Sequence, residues 1–165
     1  MPQVAFQGNP VFISGTFPQA GTQAPEFALT AGDLSELKLS ALTGKKVVLN
    51  IFPSIDTPVC AQSVRAFNQK AADKSGVEVV CISADLPFAV GRFCEIEGIE
   101  HVQHASTFRS PGFAEAYGVK IPEGALAGLT TRAVICVNEE GLVTHSELVA
   151  EITDEPNYEA ALAAL

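Results

Sequence analysis

The sequence predicts an α/β domain built on a central mixed β-sheet with helices on both faces. Two short, near-continuous apolar runs at 45–52 and 77–84 have the pattern of parallel strands covered on both sides. A helical repeat lies between them, as a parallel crossover requires. Later in the chain a strand, a turn, a second strand and a closing helix follow one another, which adds antiparallel pairing to the parallel pair.

Each element has its own warrant. At the N-terminus Val4-Ala5-Phe6 and Val11-Phe12-Ile13 flank Gln7-Gly8-Asn9-Pro10, which reads as a β-hairpin with its turn over 7–10. The stretch 15–25 is rich in Gly, Pro, Thr and Gln and reads as a connecting loop. Helical spacing over 60–73 puts Cys60, Val64, Phe67 and Ala71 on one stripe facing the core. A second helix runs from 87 to 97, with Pro87 suited to the first turn and Gly98 to the stop. It carries Cys94 and an interior Gly91, which costs roughly 1 kcal/mol relative to alanine and makes the helix easy to open. A short helix near 111–117, strands at 131–137 and 142–149 around the turn 138–141, and a helix over 157–165 complete the order.

With 165 residues, 47% of them hydrophobic and 18% charged, the chain has enough apolar material for one domain over 1–165, without internal repeats or low-complexity segments. The formal charge of −9 disfavours nucleic acid and anionic membrane surfaces as partners. No apolar run reaches the roughly 18 residues of a membrane span, and the first residues show no secretory pattern, so a cytoplasmic location is expected. The four cysteines, at 60, 81, 94 and 136, include no Cys-x-x-Cys pair. That spacing disfavours both a disulfide-dense scaffold and a zinc site, and no metal or cofactor is expected.

Cys60 carries the chemistry. It stands between an apolar strand and a helical pattern, so its sulfur is presented at a helix N-terminus, where the macrodipole and free N–H groups favour a thiolate. A partly shielded sulfur at the mouth of a pocket is the expected geometry. Cys81 and Cys136 lie inside apolar strands and read as core residues.

The segment Pro53-x-x-x-Thr57-x-x-Cys60 matches the active-site signature of the peroxiredoxins. The longer string Pro53-Ser54-Ile55-Asp56-Thr57-Pro58-Val59-Cys60, with Ser63-Val64-Arg65, resembles the bacterial thiol peroxidases, which are atypical two-cysteine peroxiredoxins. The resemblance extends to the N-terminal hairpin, to Ala24-Pro25-x-Phe27-x-Leu29, to Ser83-Ala84-Asp85-Leu86-Pro87-Phe88 ahead of Cys94, and to Arg132. It implies a thioredoxin-like fold and a peroxidase that reduces hydrogen peroxide and organic hydroperoxides.

In the roles the resemblance implies, Cys60 is the peroxidatic nucleophile and Cys94 the resolving thiol of an intrachain disulfide. Thr57 bonds the sulfur or the peroxide, Arg132 supplies a permanent positive charge and donors to the thiolate and the transition state, and Pro53 shields the sulfur from water. A thioredoxin-type dithiol recycles the enzyme, and a homodimer is expected. A peroxide-responsive redox sensor or binding module using the same disulfide is the alternative. From the residues alone, Arg132 also suits an exposed strand edge and Thr57 a helix N-cap. Phe52, Phe88, Phe93 and Ile121 are candidates for the pocket wall, His101, His104 and His145 read as solvated, and the acidic stretch 151–159 reads as an exposed face.

Overall fold

The computed structural model describes residues 2–165. Strands β1 (Gln3–Phe6) and β2 (Asn9–Phe12) pair antiparallel as a separate two-stranded hairpin. Its turn is tighter than the expected 7–10. Phe6 pairs with Asn9, so Gln7 and Gly8 alone reverse the chain, with φ of 51° and 82°, the left-handed pair of a primed hairpin turn.

The remaining strands are β3 (Ala28–Ala31), β4 (Glu36–Lys38), β5 (Lys46–Ile51), β6 (Val77–Ser83), β7 (Gln103–Ser106), β8 (Ala133–Val137) and β9 (Val143–Leu148). They form one seven-stranded sheet in the order β4-β3-β7-β6-β5-β8-β9. β5, β6 and β7 run parallel and the other pairs antiparallel, giving the mixed sheet the sequence predicts. Three of these strands, β3, β4 and β7, were not among the expected elements. They are three or four residues long and half-exposed, so their apolar signal is weak.

Helices α1 (Pro58–Ala71), α2 (Pro87–Glu97), α3 (Phe113–Ala116) and α4 (Tyr158–Ala163) fill the connections. α1 starts two residues earlier than its apolar stripe, because Pro58 occupies the first turn, where its missing N–H costs nothing. α2 ends at Gly98, in the left-handed conformation (φ 66°), with the Gly98 N–H donating to the Cys94 carbonyl.

Alternation along the strands divides the core. Val47, Leu49, Ile51, Val80, Ile82, Ala133 and Ile135 face one side, packed against Phe27, Phe113 and Tyr117. Val48, Cys81, Val134 and Cys136 face the other, under Val64 and Phe67 of α1, Val90 of α2 and Ala161 of α4. Phe67 is fully buried and meets the Tyr158 ring edge-on at 5.1 Å, so truncation to alanine would cost about 3–5 kcal/mol. A small third cluster, Val4, Ile13, Ile121 and Ile152, seats the N-terminal hairpin. The hairpin is held to the 150–152 segment by Ala5 N–H to the Ala150 carbonyl (2.7 Å) and Ile152 N–H to the Ala5 carbonyl (2.8 Å).

Candidate active site

The site forms where the parallel strands β5 and β6 end side by side, Ile51 opposite Ile82. From β5 the chain passes through the loop 52–57 into α1 and delivers Cys60 in the first helical turn. From β6 it passes through Ala84, Asp85 and Leu86 into α2 and delivers Cys94. Crevices outside the carboxyl ends of parallel strands are where α/β sheets usually place their chemistry.

Cys60 is 1% exposed, more enclosed than a sulfur at a pocket mouth. It lines a cavity of about 130 Å³ together with Pro53, Thr57, Arg132 and an apolar wall of Phe6, Leu126, Leu129 and Ile152. Sequence reasoning chose other residues for this wall. Phe52 and Ile121 are buried in the core, Phe88 is 69% exposed, and Phe93 packs under the Arg65 guanidinium (5.6 Å), so none of the four lines the cavity. Phe6 enters from the hairpin, a contact between distant parts of the chain that local pattern does not signal.

Arg132 is 1% exposed, directly before β8, and not the surface residue that a strand edge suggests. Its Nη2 donates to the Cys60 Sγ at 3.1 Å and its Nε to the Ile152 carbonyl at 2.8 Å. Nη1 is buried and has no hydrogen-bond partner among the described residues. A planar guanidinium held on one edge by a backbone carbonyl thus presses its charge against the sulfur and keeps spare donors beside it. The Ile152 carbonyl that orients it is a backbone group, which leaves no side-chain signature in the sequence.

Thr57 is the N-cap residue of α1 by position, but its hydroxyl does not cap the helix. Its Oγ1 donates to the Ser54 carbonyl at 2.9 Å, closing the loop on itself and fixing the hydroxyl at the cavity wall. Pro53 is buried beside it. The first turn of α1 contributes N–H groups that no helical carbonyl can reach.

Cys94 is half-buried in α2, packed against the same apolar cluster that contains Cys60, and burial pushes its thiol pKa up. The four cysteines are all free thiols. Cys81 and Cys136 are buried in β6 and β8, as expected of core residues, and burial pushes both thiols up to about 12. Asn50 Nδ2 lies 3.6 Å from the Cys81 Sγ, and the Cys136 thiol donates to the Ala161 carbonyl at 3.3 Å.

Among the described residues, no group of three His, Cys, Asp or Glu is placed to hold a metal, and no helix is long and apolar enough to cross a membrane. The histidines divide: His101 is exposed, whereas His104 and His145 are half-buried, with the pKa of His104 lowered by burial. The acidic stretch is also less uniform than it reads. The Glu151 carboxylate accepts from the N–H groups of Gln7, Gly8 and Thr153 and is held down to about 2 by those bonds, tying the hairpin turn to the cavity wall.

This geometry can be set beside known proteins. The Redoxin family model matches residues 19–162. Thiol peroxidases of Vibrio cholerae serotype O1 and Mycobacterium bovis are 51% and 53% identical to the chain, over 98% and 100% of its length and 99% of theirs. The chain belongs to the thiol peroxidases of the Redoxin family. Among solved structures, a peroxiredoxin-like protein from Aquifex aeolicus superposes with a TM-score of 0.93 at 42% identity, over 99% of this chain and 96% of that one. A thiol peroxidase from Chromobacterium violaceum, at 23% identity, shares the fold with a TM-score of 0.90. The thioredoxin-like mixed sheet with its added N-terminal hairpin is therefore the fold of a peroxiredoxin-type peroxidase.

Proposed function

We propose that the single domain 1–165 reduces hydrogen peroxide and organic hydroperoxides at Cys60, resolves the product with Cys94, and is recycled by a thioredoxin-type dithiol. The observation that carries this reading is the 3.1 Å contact between Arg132 Nη2 and the Cys60 sulfur, both groups buried at the wall of one small cavity.

In the first step the Cys60 thiolate attacks one peroxide oxygen in line with the O–O bond. A sulfur–oxygen bond forms, the O–O bond breaks, and the departing oxygen takes a proton and leaves as water or an alcohol. Sulfur is oxidised by two electrons to a sulfenic acid. The Arg132 donors meet the charge that develops on the departing oxygen, a task for fixed donors in a water-poor site. Thr57 uses its own hydrogen on Ser54, so its oxygen is free to accept from the peroxide O–H and hold it in line. Pro53 and the apolar wall exclude water.

In the second step the Cys94 sulfur attacks the Cys60 sulfur, the S–O bond breaks, and the hydroxyl leaves as water with the thiol's proton. Burial in folded α2 raises the Cys94 thiol pKa, so unwinding does two things: it lets the two Cα atoms come within the roughly 7 Å that a disulfide needs, and it relieves that burial. A dithiol then reduces the disulfide by exchange. A homodimer accords with the exposed Leu86, Phe88 and Ile96 on and beside α2.

The test is peroxide consumption coupled to a thioredoxin-type dithiol. Cys94→Ser is expected to keep the first oxidation and lose at least about 90% of coupled turnover, about 1.4 kcal/mol in transition-state terms. Full coupled turnover in that variant would assign resolution to another thiol.

A further inference from the structure

One carboxylate joins the two halves of this site. The Asp85 side chain, half-buried between the ends of β5 and β6, accepts from Ser54 Oγ at 2.8 Å on one oxygen. Its other oxygen accepts from the Ile55 N–H at 2.7 Å and from Ser83 Oγ at 2.7 Å. The Asp85 N–H donates back to Ser83 Oγ at 3.3 Å, and Ser54 Oγ accepts in turn from the Asp56 N–H at 3.2 Å. No cation pairs with Asp85 among the described residues, so its charge is met by these donors alone. Two of them, Ser54 and Ile55, belong to the loop that leads into Cys60's helix, and Asp85 itself stands two residues before Pro87, where Cys94's helix begins.

We propose that Asp85 is a positioning residue that locks the Cys60 loop to the start of α2, so that the two segments open together for disulfide formation. The proposal rests on the reading that Cys94 resolves Cys60. With the lock closed, the loop holds Thr57 and the first turn of α1 at the cavity, and the first oxidation is fast. With the lock open, the loop and α2 lose their shared anchor, both can unwind, and the sulfenic acid meets Cys94. Hydrogen bonds to an ionised acceptor are among the stronger ones in proteins, so the lock is large enough to set the balance between these forms.

Asp85→Asn preserves shape but removes the charge: the amide oxygen can still accept from Ile55 and Ser83, now as a neutral acceptor, and Ser54 Oγ must turn to accept from the new NH₂. Mixing the reduced variant rapidly with peroxide and quenching over time separates sulfenic acid formation from disulfide formation by mass. In Asp85→Asn the sulfenic acid is expected to form more slowly and the disulfide to follow about tenfold faster than in the unaltered protein, the effect of trading an ionised acceptor for a neutral one. Cys60 should also be about tenfold less prone to overoxidation to the sulfinic acid. Amide exchange should rise together at 54–61 and 86–97. An unchanged disulfide rate in folded Asp85→Asn overturns the lock.

If that variant does not fold, Ser54→Ala, which removes one bridging bond without altering α2, is read in the same way, and an unchanged disulfide rate there overturns the lock equally. Absence of any Cys60–Cys94 linkage in the unaltered protein would instead defeat the resolving role of Cys94, and the two failures are thus distinct.

Discussion

Cys60 and Cys136 belong to the same apolar cluster, both essentially out of contact with solvent. Their surroundings differ. Cys136 sits mid-strand with its thiol donating to the Ala161 carbonyl, an acceptor that favours the protonated form, and burial pushes it up to about 12. Cys60 sits in the first turn of a helix and receives a hydrogen bond from a buried guanidinium. Burial by itself makes a thiol inert. Burial beside a fixed positive donor gives a sulfur a partner for the charge that the proposed reaction develops, and a cavity at that sulfur gives a substrate somewhere to stand.

Removing the distinguishing donor should have the largest effect. Arg132→Met is expected to lower the second-order rate constant of Cys60 with peroxide by about 10²–10³, the usual cost of losing a donor aimed at developing charge. Arg132→Lys should recover part of this, because an ammonium keeps the charge but cannot serve the sulfur and the Ile152 carbonyl with one planar fork. Stopped-flow kinetics would measure both, and equal rates for the three proteins would remove the distinction between the two cysteines.

The inert side of the comparison can be read from stability against pH. In the unfolded chain cysteine thiols lose their protons from about pH 8.5, whereas Cys81 and Cys136 keep theirs in the folded protein until about 12. Between those values the folded state binds more protons, so stability present below about pH 8.5 is lost as pH rises. The expected slope is about 1.4 kcal/mol per pH unit for each of these two thiols. Urea unfolding at pH 8, 9 and 10 would show it, and Cys136→Ala should reduce the slope by about one proton. The smallest effect belongs to catalysis in that same variant: turnover should stay within about twofold of the unaltered protein while stability falls by about 1–2 kcal/mol. A large loss of turnover would mean that Cys136 is more than packing.

Much of this was legible beforehand because it is local. The strands β5, β6 and β8 have near-continuous apolar runs, β9 follows the turn at 138–141, α1 has its stripe from Cys60 to Ala71, and Gly98 marks the end of α2. Short half-exposed strands such as β7 carry too few buried positions to show a period, and were missed. At the site, the signature string located Cys60, Thr57 and Pro53, yet the residue that completes the wall from the far end of the chain, Phe6, was not among the candidates. Arg132 could be named but not placed: an arginine before a strand reads the same whether it points to water or to a sulfur. The roles of Glu151 and Asp85 depend on backbone N–H groups brought together by the fold, and a carboxylate that caps a distant turn looks like any surface acid in a linear reading.

The most direct measurement is to mix the fully reduced protein with one equivalent of peroxide, quench within a second, and map every cysteine by peptide mass. Oxidation confined to Cys60 and Cys94, with a linkage between them and with Cys81 and Cys136 still reduced, is the expected result. Oxidation spread slowly over all four thiols, with Cys60 no faster than Cys136, would contradict the claim that Arg132 and the cavity set Cys60 apart.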